Sequence, residues 1–228
     1  MNPLVEAALE FVWPTRCVGC DEHGSLLCPS CREALPFIDP ALACPRCGAP
    51  FGQRVCTECS TAEGLRPLPF DGAVSACEFT GTAARLVVAY KDQFERRLAP
   101  VIAGLIFEVI PRDWVRTSDS ITWIPSDAEA LRRRGFDHME AVAEELAAII
   151  GRPASMLLSK ANATDQRVLD KQERADNMRG AFELIAEPPQ RILLIDDVLT
   201  SGATLEGASQ MLLTAARTVH VATFARVW

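Results

Sequence analysis

The chain has 228 residues, of which 49 % are apolar and 23 % are charged. This balance is typical of a folded globular protein and excludes disorder of the whole chain. The formal net charge of −7 excludes a protein that coats nucleic acid through bulk positive charge, although a local basic groove is still possible.

Cysteine dominates the first quarter of the chain. All cysteines except Cys77 fall into four C-x2-C pairs, which are Cys17/Cys20, Cys28/Cys31, Cys44/Cys47 and Cys56/Cys59. Two such pairs supply four thiolates, the closed shell of a structural zinc site. The repeated spacing favours two zinc ions held by consecutive pairs, while an interleaved pairing stays open. We therefore predict a double zinc ribbon over residues 1–64, followed by a second domain over residues 65–228.

The N-terminus has no basic region before its apolar stretch, so no secretory signal is predicted. The longest apolar run elsewhere, residues 101–110, is too short to span a bilayer, so we expect no membrane insertion. These features favour a cytoplasmic protein. Thiols stay reduced in that compartment, which favours bound metal over disulfides.

Apolar runs and amphipathic stretches alternate beyond residue 70. Strands are predicted over 74–79, 121–124, 154–158, 192–195 and 219–224, and helices over 82–90, 98–109, 137–150 and 205–217. Alternation of strands and helices predicts an α/β fold with a mostly parallel sheet flanked by helices. In such sheets, ligands bind at the carboxyl ends of the strands.

One predicted strand end is followed by residues typical of a ligand-binding site. The apolar run 192–195 leads into Asp196 and Asp197, and then into a loop of small and hydroxyl residues before a helix. The loop amides could hold a phosphate, while the two carboxylates would serve hydroxyls or a metal. A sugar phosphate fits both parts. A P-loop lacks support because the chain has no G-K-[ST]. The small-residue loop argues against a phosphoacceptor aspartate, and an unliganded surface turn is the remaining alternative.

The stretch Leu194–Leu205 resembles the fingerprint for phosphoribosyl pyrophosphate (PRPP) in type I phosphoribosyltransferases. Together with the cysteine pairs, it resembles the ComF family of competence-related proteins over nearly the whole chain. Further matches are Tyr90-Lys91, the segment 124–138 and positions between residues 166 and 182. The family usually continues its R-R-R-G-F run with Asn-Gln, where this chain has Asp137 and His138.

The resemblance implies a type I phosphoribosyltransferase-like fold and a set of site residues. Asp196 and Asp197 would hold the ribose hydroxyls, and Mg²⁺ would bind together with PRPP. The 5′-phosphate would be bound by Thr200, Ser201, Gly202, Ala203 and Thr204. Charge on the pyrophosphate would be neutralised by Lys91, Arg134, Lys171 and Arg174, for each of which a solvated surface position is the alternative.

Two further expectations concern the neighbourhood of this site. His138 is interpreted as the N-terminal residue of a helix rather than a catalytic base. Residues 71–100 are expected to form the hood that would recognise the acceptor.

Three hypotheses for function follow. The first is Mg²⁺-dependent phosphoribosyl transfer from PRPP to an unidentified acceptor, with a link to competence or DNA uptake implied by the resemblance. The second is a non-catalytic adaptor that senses PRPP or a nucleotide and acts through the zinc ribbon on a protein of the competence machinery. The third is direct binding of single-stranded DNA. No cysteine stands at residue 1 or 2, so a glutamine-dependent amidotransferase is not expected. The acceptor and the oligomeric state are not predicted.

Overall fold

The computed structural model describes residues 14–50, 55–160 and 181–228. Its strands are β1 (Ser60–Thr61), β2 (Gly64–Leu65), β3 (Gly72–Glu78), β4 (Ser120–Trp123), β5 (Leu158–Lys160), β6 (Phe182–Leu184), β7 (Arg191–Leu199) and β8 (Thr218–Arg226). Its helices are α1 (Pro29–Glu33), α2 (Gly81–Lys91), α3 (Ala99–Val109), α4 (Arg112–Thr117), α5 (Ala128–Arg134), α6 (His138–Ile150) and α7 (Ala203–Leu212), with a short 3-10 helix at Arg96–Leu98.

The main sheet has the strand order β3-β8-β7-β4, and all its neighbours are parallel. This confirms the predicted α/β fold with a parallel sheet flanked by helices. Trp123 of β4 is in register with Ile195 of β7, and the Ile124 N–H donates to the Ile195 carbonyl at 3.1 Å. The loops that follow β4 and β7 therefore start at the same edge of the sheet.

Strand β7 is buried on both faces, as expected of a central parallel strand. Leu193 and Ile195 pack in one core with α2, α3 and α6, whereas Ile192 and Leu194 pack in a second core with α7. Side chains alternate between the two faces of a strand. The two acids that continue this strand, Asp196 and Asp197, are therefore directed to opposite faces.

Three predicted features are wrong. The run 154–158 is not a strand of the main sheet, because Ala154 makes only an isolated bridge to Ile121 and β5 pairs antiparallel with β6 instead. The last helix ends at Leu212, since the following chain turns to donate from the Arg217 N–H to the Gln190 carbonyl at 2.8 Å. Residues 71–100 are not a hood, because they form β3 of the main sheet and helices packed in its core.

Three of the described helices, α1, α4 and α5, were not predicted. They have five, six and seven residues, which is too short for a helical period to stand out. None of the described helices is both long enough and apolar enough to cross a membrane.

The ribbon module packs on the free edge of β3. The Ile38 N–H donates to the Ala76 carbonyl at 2.9 Å, and the Glu78 N–H donates to the Pro36 carbonyl at the same distance. Gly48 has a φ of +71°, and a Cβ there would lie 2.7 Å from the Ala73 carbonyl oxygen. Glycine is therefore required at this position both for the backbone conformation and for the close approach to the sheet.

Candidate functional site

A cavity of about 280 Å³ opens at the carboxyl ends of β4 and β7. Its lining comes from the end of α2, the loop after β4, helix α5, the start of α6, the end of β5 and the loop after β7. The charged residues among the lining are Lys91, Asp127, Arg134, Lys160, Asp196 and Asp197, joined by His138. The topology therefore brings together residues that are more than 100 positions apart in the sequence.

Asp197 is buried and already has two partners. Its side chain forms an ion pair with the Lys91 ammonium, and its Oδ2 lies 2.9 Å from His138 Nε2. Burial by itself raises the pKa of Asp197, but the His138 hydrogen bond and the Lys91 charge lower it to about 2. This carboxyl is therefore ionised throughout the physiological range.

Asp196 faces the other way and differs in its electrostatics. Its Oδ1 accepts a hydrogen bond from the Asp197 backbone N–H at 2.9 Å. Burial, and then the charge of Asp197, raise the pKa of Asp196 well above its ordinary value. Two adjacent acids whose pKa values are shifted in opposite directions are typical of a functional site, because one carboxyl stays ionised while its neighbour can hold a proton.

His138 links three parts of the cavity. Its Nδ1 lies 3.2 Å from Arg134 Nη1 and 3.1 Å from Ser126 Oγ. A guanidinium can only donate, so Nδ1 accepts and the ring proton sits on Nε2, where it donates to Asp197. His138 is the first residue of α6, as predicted, but its position in the site was missed. The available signal was His138 itself, which stands in place of the family's usual Gln at the second position after R-R-R-G-F.

The contacts of Asp137 explain the other departure from the family pattern, which is aspartate in place of the usual asparagine. It caps α6 by accepting from the Met139 N–H at 3.0 Å through Oδ1. Its Oδ2 accepts from the Ser126 backbone N–H at 2.9 Å, and its Oδ1 also accepts from Ser126 Oγ at 3.2 Å. A carboxylate, which accepts at both oxygens, therefore ties the loop after β4 to the start of α6.

Arg134 and Lys91 lie side by side at one wall. The Arg134 Nε donates to the Lys91 carbonyl at 3.0 Å. The Arg96 guanidinium lies 4.0 Å from the centre of the Phe136 ring and donates to the Arg134 carbonyl at 3.4 Å. These contacts fix two cations beside the acids, where they can face an anionic ligand.

The loop after β7 has the geometry of an anion site. Gly202 has a φ of +82° and stands at the N-cap of α7, for which no side-chain cap is found among the described residues. The first amides of a helix have no partner within the helix, so those of Ala203 and Thr204 are available to an anion. Thr200 and Thr204 line the same cavity as the acids, whereas Ser201 and Gly202 line an adjoining one.

The structure brings together Lys91, Arg134, Asp196 and Asp197 with the loop 200–204. Lys171 and Arg174 lie outside the described residues. Lys160, which was not named as a site residue, ends β5 in the wall of the cavity. The pKa of Asp127 is lowered first by the hydrogen bond from the Ala130 N–H and, to a smaller extent, by the positive charge of Lys160.

The eight cysteines of the ribbon form two tetrads. In each, the four sulfur atoms lie within 4.8 Å of one another, and the tetrads are Cys17, Cys20, Cys28, Cys31 and Cys44, Cys47, Cys56, Cys59. A tetrahedral zinc–thiolate shell places sulfur atoms about 3.8 Å apart. Cys20 and Cys28 have sulfurs 3.6 Å apart, and Cys47 and Cys56 have sulfurs 3.5 Å apart. Both tetrads fit structural zinc, and the pairing is the sequential one.

Backbone amides assist thiolate formation in each tetrad. Burial raises the pKa of Cys17, but N–H groups, first that of Cys28, lower it to about 6. The same balance, with the Cys56 N–H, lowers the pKa of Cys44 to about 7. Thiolates are the form that binds zinc. Burial raises the pKa of Cys31, Cys47 and Cys59, so the amides favour the thiolate at some ligand positions and not at all of them.

Comparison with known proteins agrees with this architecture. A family model for the double zinc ribbon domain matches residues 8–60. The chain is 27 % identical over 222 residues to competence protein ComFC of Bacillus subtilis, covering 87 % of this chain and 82 % of that protein. It is also 27 % identical over 203 residues to DNA utilization protein YhgH of Salmonella typhimurium, covering 86 % of this chain and 82 % of that protein.

Among solved structures, the orotate phosphoribosyltransferase from Aeropyrum pernix is similar. It has 14 % identity and a TM-score of 0.36, covering 63 % of this chain and 76 % of that one. The fold assignment rests instead on the strand order and on the loop after β7. They show a parallel α/β domain with a phosphate-type loop, joined to a double zinc ribbon. The chain is ComF-like over most of its length.

Proposed function

We propose that the cavity binds PRPP and that the chain transfers its phosphoribosyl group, with Mg²⁺, to an acceptor. One observation carries the proposal. Asp196, Asp197 and the phosphate-type loop follow the same strand end, and they line one cavity together with the cations Lys91 and Arg134. A ligand with a sugar, a phosphate at one end and a diphosphate at the other matches this order of groups.

Each end of PRPP has a partner in the proposed complex. The 5′-phosphate binds the amides at the start of α7, and the ribose hydroxyls bind Asp196 and Asp197. In the part of the chain that the structure describes, the Lys91 and His138 contacts to the Asp197 carboxylate both use Oδ2, which leaves Oδ1 to accept from a hydroxyl. The pyrophosphate lies near Lys91 and Arg134, which offset the negative charge that grows on it as its bond to the anomeric carbon breaks.

Mg²⁺ is expected to enter with the substrate. Among the described residues, the two cysteine tetrads are the groups of potential ligands that converge closely enough to hold a metal ion unaided. Mg²⁺ in phosphoryl sites is held by one or two carboxylates together with substrate phosphates, so Asp196 fits such a site only jointly with the ligand. When bound, the ion supplies further neutralisation of the diphosphate.

The relatives bear on the biological setting. Their names refer to competence and to DNA utilization, and the match covers most of both chains. This supports a role for the phosphoribosyltransferase-like protein in DNA uptake or use. The division at residue 64, the cytoplasmic location and a partner in the competence machinery are parts of the same proposal.

Calorimetric titration of PRPP in the presence of Mg²⁺ tests the binding. Wild-type protein should bind, and the double variant Asp196→Asn/Asp197→Asn should lose at least about tenfold in affinity. Asp119→Asn is the matched control, because Asp119 pairs with Arg191 at the other end of the sheet. Failure of the wild type to bind, or equal binding by the double variant, would disprove the proposal.

Catalysis is tested by a screen of nucleobases and amines for PRPP-dependent release of pyrophosphate. Release with one of them supports the transferase. Tight binding without release from any of them would favour the adaptor that senses PRPP.

A further inference from the structure

The second ribbon reaches the phosphate loop. A small cavity adjoining the main one is lined on one side by Cys59 and Arg66, which belong to the ribbon and the segment after it. On the other side it is lined by Ser201, Gly202 and Glu206 of the loop and of α7. Two modules that are separate in the sequence therefore share a wall of the proposed site.

This contact is anchored on both sides. The Arg66 backbone N–H donates to the Cys59 carbonyl at 3.0 Å, so its position depends on a zinc ligand. At the end of β8, Arg226 is only 4 % exposed. Its Nη1 donates to the Cys47 carbonyl at 2.8 Å, and its Nη2 contacts Glu58 at 3.0 Å. The ribbon is thus fixed to the strand next to β7.

Glu206 presents an electrostatic problem for a phosphate. It lies in the first turn of α7, and its Oε1 is 3.3 Å from the place where a Cβ on Gly202 would stand. A carboxylate at a helix N-terminus is favoured by the same amides that would bind an anion. Glu206 therefore both repels a phosphate dianion and competes with it for the end of the helix.

Arg66 offsets the negative charge of Glu206. Its Nη2 donates to Glu206 Oε1 at 2.6 Å, a charge-assisted hydrogen bond that joins the segment directly after the ribbon to the helix. We propose that Arg66 is a positioning residue of the phosphate site, which neutralises Glu206 by binding Oε1, the oxygen that lies beside Gly202. This inference rests on the proposed function, since it concerns the same phosphate. It makes the ribbon a part of the substrate site rather than a separate docking module.

The test compares single and double variants by calorimetry with PRPP, with ribose 5-phosphate and with pyrophosphate. Arg66→Ala should weaken the binding of PRPP and of ribose 5-phosphate by about tenfold, with a larger effect at low salt. Pyrophosphate binding should not change, because its contacts are at the other end of the cavity. Arg66→Ala/Glu206→Gln should restore the affinity to near that of Glu206→Gln alone.

Matched controls keep the outcomes distinct. Arg217→Ala removes an exposed arginine at the start of β8, far from the loop, and should change none of the affinities. Zinc content and melting temperature show that each variant is folded. If the wild type binds no PRPP, the proposed function fails. If the wild type binds but Arg66→Ala binds equally well, or the double variant shows no restoration, only the role of Arg66 is overturned.

Discussion

His138 Nε2 lies 2.9 Å from Asp197 Oδ2, across the gap between helix α6 and strand β7. The opposite nitrogen of the same ring lies 3.2 Å from Arg134 Nη1. A single neutral imidazole therefore accepts from a cation and donates to an anion. This arrangement fixes the orientation of both charged groups at the wall of the cavity.

Substitutions at His138 should separate this positioning role from simple packing. His138→Gln places an amide N–H near Nε2 and an oxygen acceptor beside it, so PRPP affinity should stay within about threefold of the wild type. His138→Ala leaves Asp197 and Arg134 without this partner, so PRPP affinity should fall by about tenfold or more. Titration of PRPP with Mg²⁺ measures both. Equal losses in the two variants would contradict the interpretation.

Replacing Asp137 by the family's usual asparagine should destabilise this particular chain. Its two oxygens accept from the backbone N–H groups of Ser126 and Met139, and an asparagine would turn an NH₂ toward one of them. The expected cost in the free energy of unfolding for Asp137→Asn is about 1–3 kcal/mol, measured by urea denaturation.

Asp127→Asn is the control for that substitution. Asp127 caps α5 through one oxygen, which accepts from the Ala130 N–H at 2.7 Å. Asparagine caps a helix about as well as aspartate, so the change should stay within about 0.5 kcal/mol. Equal effects at positions 127 and 137 would contradict the explanation of Asp137.

Lys91 should control the pH at which Asp197 loses its charge. The pKa of Asp197 is lowered to about 2, below the value of about 3.9 in an unfolded chain. Its ionised form therefore stabilises the fold fully above about pH 4, and this contribution is lost as the pH falls toward about 2. In Lys91→Met the pKa of Asp197 rises, so stability should be lost at a higher pH.

The free energy of unfolding, measured by urea denaturation between about pH 3 and pH 7, follows this effect. At neutral pH, Lys91→Met should lose about 1–3 kcal/mol, because His138 is then the one side-chain partner that the described residues offer to a buried carboxylate. Lys160→Met is the control, since Lys160 lies in the same cavity but is exposed. A uniform loss at every pH would argue against a linked titration of Asp197.

Zinc analysis should find two ions per chain, one in each tetrad. Replacing Cys17, Cys20, Cys28 and Cys31 together by serine should remove one ion and leave the other, because the second tetrad is complete without them. Native mass spectrometry counts the ions directly. Loss of both ions from a chain whose main domain is still folded would indicate the interleaved pairing instead.

Local patterns in the sequence determined much of this protein. Strand β7 was predictable because four buried apolar residues run into Asp196 and Asp197. The helix α6 was predictable because apolar residues such as Val142 and Leu146 recur at helical spacing. The zinc ligands were predictable because C-x2-C spacing places two thiolates on one turn. The fold class followed from the order of these segments.

Only the tertiary structure decided which distant groups meet. The side of β7 on which Asp197 lies brings it to Lys91 and His138, and this depends on how α2 and α6 pack on the sheet. The contact between Arg66 and Glu206 joins residues 140 positions apart. Neither residue is marked by a local pattern, because periodicity and spacing describe one segment at a time. Contacts between segments arise only when the two cores pack against the sheet and the ribbon docks on β3.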